Sequence, residues 1–133
     1  MKITQTVVEA IWPKIAKTGH YRTPDKKKGA AFDVIASTEV CLTVQTGRGA
    51  SIVIQKESFR ATLEYLIKHT HTAEDRRCEV RASKSDPGLL DLATRDPAHA
   101  RATMVIPYVL PILASTGVIV IDGNRPNAVW LNL

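Results

Sequence analysis

Four histidines, His20, His69, His71 and His99, are the side chains of this 133-residue chain best suited to metal or proton chemistry. His69 and His71 are separated by one residue, which puts both rings on one face of an extended segment. Neither has a cysteine or carboxylate beside it at ligand spacing. They read as exposed loop histidines, and no metal site is expected. Cys41 and Cys78 are too few for a disulfide scaffold or a metal site. Both sit among apolar or alternating residues, as small buried hydrophobes of a reducing compartment do. Ser, His and Asp all occur, yet no "GxSxG" elbow presents a nucleophile. The glycine-rich "TGRGAS" of residues 46–51 lacks the lysine and following helix of a phosphate loop, and reads as a hairpin turn. Asp33 and Glu39 have no Glu-x-Lys partner such as a metal-dependent nuclease would use. No catalytic residue, metal or cofactor is assigned, and the chain is expected not to be an enzyme.

Charge suggests a different chemistry. The formal net charge is +5. From Lys14 to Lys28 the chain carries Lys14, Lys17, Arg22, Lys26, Lys27 and Lys28 against Asp25 alone, so the whole excess belongs to this segment. Its centre, "KTGHYRTPDKKKGA", contains Gly, Pro and a lysine run, with little to bury. Two readings follow: a solvated, mobile connector, or a flexible arm that finds phosphates. An anionic membrane surface ranks below both, because no amphipathic helix accompanies the charge. Tyr21, flanked by His20 and Arg22, is an aromatic among cations. It could stack on an unpaired base or pack on a neighbour. The nucleic-acid-binding candidates in this segment are Tyr21, Arg22, Lys26, Lys27 and Lys28. Trp12, Phe32, Phe59, Tyr65 and Trp130 fall on apolar stripes or strand faces and read as core.

Elements must position these groups. Apolar residues make up 44% of the chain and charged residues 23%, an ordinary globular balance. No apolar run reaches the ~18–20 residues of a membrane span. The opening "MKITQTVVEAIWPK" is too polar and too lightly basic for a signal peptide. A cytoplasmic location without a membrane partner is expected. Residues 4–16 have Val7, Val8, Ile11, Trp12 and Ile15 at helical spacing, with Thr4 or Thr6 as cap, and Pro13 either ending or kinking the helix. The period then changes to two. "AFDVIAS", "VCLTVQT" and "ASIVIQK" predict a three-stranded antiparallel meander over 32–56.

"KESFRATLEYLIKH" predicts a covering helix with Ser58 as N-cap. "RRCEVRAS" alternates like a strand with one wet face, the rival being a helix capped by Thr72 with Glu74 and Asp75 in its first turn. "SDPGLLDLATRD" predicts a short helix with Asp86 as N-cap, Pro87 at N1 and Leu89, Leu90 and Leu92 as anchors. Met104, Val105, Tyr108, Val109, Ile112 and Leu113 share a helical stripe ending at Gly117. Pro107 and Pro111 leave its start open, near Thr103 or only near Pro107. "VIVID" and "NAVWL" close the chain as a hairpin about Gly123–Pro126.

From residue 57 the order is helix, strand, helix, helix and hairpin. With "YVLPILASTGVIVIDGNRPNAVWL" it resembles a winged helix-turn-helix over about the last 77 residues. That resemblance implies a helix entering the DNA major groove and a wing touching backbone or minor groove. Carried over, it names Arg95, His99, Arg101 and Thr103 around the start of the helix, and Asn124, Arg125 and Asn127 at the wing tip. Arg suits phosphate or guanine, and Asn suits adenine. Residues 102–116 contain no charge, which suits a buried helix or a homodimer face.

The expected fold class is α+β: a helix and meander subdomain over 1–56 packed on a winged-helix-like subdomain over 57–133. The expected function is a small nucleic-acid-binding regulatory protein, with DNA ahead of RNA. The alternative is a protein-interaction subunit or adaptor that docks through the winged-helix-like unit. A homodimer through the apolar 104–113 helix is the expected self-association.

Overall fold

The computed structural model describes residues 2–24, 29–80, 89–95, 104–124 and 127–132. The chain begins with α1, Lys2–Ile15, whose apolar stripe buries Val8, Ile11, Trp12 and Ile15. Pro13 neither ends nor shortens this helix. It lies in the last turn, where a missing N–H removes one bond, and Ala16 N–H still reaches the Trp12 carbonyl at 2.7 Å. Thr4, expected as a cap, lies inside the helix and is buried.

A four-stranded antiparallel sheet follows, made of β1 (Gly19–Arg22), β2 (Ala31–Ser37), β3 (Cys41–Thr46) and β4 (Ser51–Gln55) in sequential order. Strands β2 to β4 match the expected meander. Strand β1 corrects it, because part of the segment read as a loop pairs with β2, from Gly19↔Val34 to Arg22↔Ala31. Tyr21 turns inward and stacks on Phe32 at a centroid distance of 5.6 Å, and Phe32 meets Tyr108 edge-on at 5.0 Å. These ring contacts and the ladder bonds hold a strand whose other side chains, His20 and Arg22, are exposed.

The sheet's inner face buries Phe32, Val34, Leu42, Val44 and Ile54. Helix α2, Lys56–Lys68, starts immediately after β4 and buries Phe59, Leu63 and Leu66. Gln55 occupies its N-cap, and the expected cap Ser58 is buried within the helix, its carbonyl accepting from Thr62 Oγ1 at 2.8 Å. Trp12 links α1 to this layer. Its ring meets Phe59 edge-on at 5.7 Å, and its Nε1–H donates to the Thr38 carbonyl at 3.1 Å.

Beyond α2 a single 3₁₀ turn, Glu74–Arg76, precedes β5, Cys78–Glu79. The expected strand is thus two residues long among the described residues. Glu74 and Asp75 begin a 3₁₀ turn after Ala73, not a Thr72-capped helix. Helix α3 is Leu89–Thr94, with Leu90 buried and Leu89 exposed. Its expected cap, Asp86–Pro87, lies outside the described residues.

Helix α4, Ile106–Ser115, starts at Pro107's own turn, where a proline nitrogen would have no intrahelical partner. It continues through Pro111, and Gly117 turns the chain with φ +83°. Strands β6 (Ile119–Asp122) and β7 (Ala128–Leu131) form the expected hairpin. β7 is central in a second sheet of order β5–β7–β6.

One cluster of buried residues draws on both sheets and all four helices. It includes Ile106, Val109, Leu110, Ile112 and Leu113, none of which is accessible to solvent. The apolar face expected to make a homodimer is therefore enclosed within this chain. The core also crosses the boundary expected at residue 56, where α2 follows β4 without a linker.

Candidate nucleic-acid interface

The meander sends its β1–β2 and β3–β4 connections to the same end of the first sheet. At that end Arg22 pairs with Ala31, Phe32 pairs with Thr46, and a Cβ on Gly47 would sit 3.4 Å from the Ala31 carbonyl. The β1–β2 connection is clamped at its base. Thr23 N–H donates to the Ala30 carbonyl at 3.0 Å, Ala30 N–H donates to Thr23 Oγ1 at 2.8 Å, and Arg22 Nη2 donates to the Gly29 carbonyl at 2.7 Å. Lys26, Lys27 and Lys28 belong to the stretch between these clamps and lie outside the described residues. Of the segment 17–30, read as a mobile connector or a flexible arm, residues 19–22 are corrected to a strand, with Tyr21 packed on Phe32 and Arg22 tied to Gly29.

Ordering divides the basic segment. Lys14 lies in the last turn of α1, near where Ser37 Oγ donates to the Ala16 carbonyl at 2.9 Å, and Lys17 follows just before β1. Both are exposed at the end of the sheet opposite Arg22. His20 is occupied by Asp33, with Nδ1 2.6 Å from Oδ1.

The second hairpin is held by carboxylates. Arg77 Nη1 donates to Asp122 Oδ2 at 2.7 Å and Nη2 to Glu74 Oε1 at 3.2 Å, while the guanidinium lies 4.9 Å over the Trp130 ring. Asn124 is exposed, but its backbone N–H caps Asp122 Oδ1 at 3.0 Å. That bond and the Arg77 contact hold the Asp122 carboxyl below its ordinary value of 3.8. The stabilisation is fully present above pH 3.8 and is lost as pH falls through the lower folded value. An NMR titration is expected to find the Asp122 carboxyl midpoint below 3.8. In Arg77→Ala it should move back toward the ordinary value. Asn127, the other wing candidate, buries its side-chain oxygen without a hydrogen-bond partner, and its carbonyl accepts from Val80 N–H at 2.8 Å. It faces inward. Arg125 lies outside the described residues.

The helix expected to read bases is not placed to do so. Ile106, Val109, Leu110, Ile112 and Leu113 are buried, leaving Pro107, Tyr108, Pro111 and Ala114 half-buried and Ser115 exposed. Arg95, expected beside that helix, folds back on α3. Its Nε lies 3.2 Å from Asp91 Oδ1 and its Nη2 3.0 Å from Oδ2, with the Asp91 side chain fully buried. These charge-assisted bonds raise the Arg95 pKa. His99, Arg101 and Thr103 lie outside the described residues. The first sheet therefore gathers Arg22 and the ends of the lysine hairpin, and Arg95, Asn124 and Asn127 lie elsewhere on other partners.

His69 and His71 flank the Tyr65 ring, at centroid distances of 4.4 and 6.2 Å. His71 Nδ1 bonds to the Arg76 carbonyl at 2.8 Å. No group of three or more His, Cys, Asp or Glu side chains able to hold a metal ion occurs among the described residues. Cys78 is buried, and desolvation, then the nearby Glu79 charge, pushes its thiol pKa up to about 11. It is a weak nucleophile at neutral pH.

One functional candidate escaped the sequence reading. Arg48, at the tip of the β3–β4 turn, is exposed at the same end of the sheet as Arg22. Its signal was present in "TGRGA", a single arginine at the apex of a glycine-flanked turn. Comparison with protein families, curated proteins and solved structures found no match to this chain. No helix among the described residues is long and apolar enough to cross a membrane.

Proposed function

We propose that this protein is a small non-enzymatic regulatory protein that binds nucleic acid, DNA ahead of RNA, through the basic hairpin end of its first sheet. The observation that carries the reading is the distribution of charge. Among the described residues outside this segment, several cations are paired: Lys56 with Glu9, Arg60 with Glu57 and Glu64, Arg77 with Glu74 and Asp122, Arg95 with Asp91. The excess stays in the segment Lys14–Lys28, whose lysine run lies in sequence between Thr23 and Ala30, which are bonded to each other. A run of cations in a segment whose two ends are tied to a sheet gathers positive charge where phosphates would meet it.

The elements from Lys56 onward are proposed to form a winged-helix-like unit. The order α2–β5–α3–α4–β6–β7 and the sheet order β5–β7–β6 support that reading. With α4 enclosed, the unit acts in this account as the scaffold that backs the first sheet. The wing makes at most accessory contacts through Asn124 and Arg125.

Fluorescence anisotropy of a random 20-base-pair duplex is the test. Micromolar or tighter binding is expected near 50 mM salt, falling by an order of magnitude or more by 200 mM, as three or more phosphate contacts require. Absence of binding at low salt would refute the reading. Docking to a protein partner would then take its place, a reading favoured by the exposed apolar Ile35 and Val53 of the first sheet and Val40 in its β2–β3 turn.

A further inference from the structure

We propose that β4 is a self-association edge: two copies of this chain pair their β4 strands antiparallel about a two-fold axis at Val53, joining their first sheets into one. The association does not depend on the nucleic-acid reading, and it uses a surface different from the enclosed α4.

The phase of the ladder decides which backbone groups are free. At one end of the β3–β4 pair Thr46 N–H donates to the Ala50 carbonyl at 2.8 Å, and at the other Lys56 N–H donates to the Val40 carbonyl at 2.8 Å. Bonded pairs recur at every second residue of an antiparallel ladder. With Val44 across from Ile52 and Leu42 across from Ile54, it is Ile52 and Ile54 that turn their N–H and C=O groups toward β3. Ser51, Val53 and Gln55 turn theirs to the other side, where β4 has no neighbouring strand among the described residues.

That pattern is self-complementary. An antiparallel copy centred on Val53 sets Val53 against the partner's Val53 and Ser51 against the partner's Gln55, so each outward N–H meets an outward C=O. The two Val53 side chains, each 51% exposed in the single chain, meet on the outer face. On the inner face, half-buried Ile52 comes beside the partner's Ile54. No charge interrupts residues 49–55. Antiparallel pairing also directs the sheet end with exposed Arg48 toward the end where the partner exposes Glu39, which sets opposite charges together.

The other strand edges lack these features. The Thr23–Ala30 bond fixes the phase of β1 and puts His20 and Arg22 on its outward side, both exposed. A cation there is a device by which edges resist pairing. β5 has two residues, and β6 has four with no exposed large apolar side chain among them.

Sedimentation velocity of the full chain between about 5 and 500 µM is expected to show a reversible monomer–dimer equilibrium, since one strand pair joins less than the ~1,200 Å² of tight complexes. Val53→Lys sets like charges across the axis and should raise the dissociation constant about tenfold or more. Its circular dichroism should superimpose on wild type, because the side chain stands on the exposed face. Amide hydrogen exchange reads the register. Ile52 and Ile54 should be protected at every concentration, whereas Ser51, Val53 and Gln55 should exchange freely in dilute solution and become protected as the dimer forms.

A chain that stays monomeric at the highest concentration overturns the inference. So does a dimer that Val53→Lys leaves intact, or one in which the Val53 amide still exchanges freely. If Val53→Lys does not fold, the exchange pattern of the wild-type chain decides alone.

Discussion

Arg95→Ala is expected to destabilise the folded chain by about 3–5 kcal/mol, the usual result of stranding one member of a buried ion pair. Asp91 is fully buried on α3 and accepts two bonds from the Arg95 guanidinium four residues on. With alanine in place of Arg95, the carboxylate must remain charged without its partner or take up a proton, and either costs free energy. A domain this size is stable by only about 5–15 kcal/mol, so the loss is a large fraction of the total. Arg95→Lys should recover part of it, because charge is kept while the planar fork is not. Urea denaturation of the two variants beside wild type measures this. An Arg95→Ala chain of unchanged stability that has lost DNA binding would make Arg95 a reader after all.

The second large effect is on binding. The triple Lys26/Lys27/Lys28→Ala variant is expected to lose duplex affinity by on the order of 100-fold near 0.1 M salt, with a log–log slope shallower by about 2–3. Its stability should be close to wild type, because the hairpin is closed below these residues by Thr23, Ala30 and the Arg22–Gly29 bond. Anisotropy and a thermal melt on the same preparation separate the two effects. A triple variant that binds as wild type places the contact surface elsewhere.

Residues that alternate or repeat over enough positions were legible in the sequence. β2, β3 and α2 each bury one face, so hydrophobic period finds them, while the β6–β7 hairpin shows as two short apolar runs about a polar turn. The start of α4 was left between two positions because Pro107 fits either, and the structure selects the later. Gly117 as its terminator followed from the demand for positive φ, which is observed.

Other features had no local signal. β1 has four residues and exposes two of them, so its identity rests on Tyr21 finding Phe32, and His20 finding Asp33, across the β1–β2 pairing. Ser58 has the right type for a cap, yet Gln55 takes the position because β4 runs directly into α2.

The candidate site was legible in charge and illegible in geometry. Counting found the lysine run, since like charges in sequence stay together in space. It could not separate Lys14 and Lys17 from Arg22, because that depends on β1 carrying the chain from one end of the sheet to the other. It missed Arg48, which sequence places far from Arg22 and the meander brings to the same end of the sheet. It assigned Arg95 and Asn127 to a DNA surface on the order of elements. Burial decides both: Arg95 binds a buried Asp91 one turn back in α3, and the side-chain oxygen of Asn127 faces inward.

The most direct test of the whole account is an amide chemical-shift titration of the full chain with a short random DNA duplex at low salt. The account predicts that perturbations concentrate at Tyr21–Thr23, Gly29–Ala31 and Gly47–Gly49, with Ile106–Ser115 unmoved. Shifts centred on Ile106–Ser115 and the Ile119–Leu131 hairpin, with the end of the first sheet silent, would contradict it.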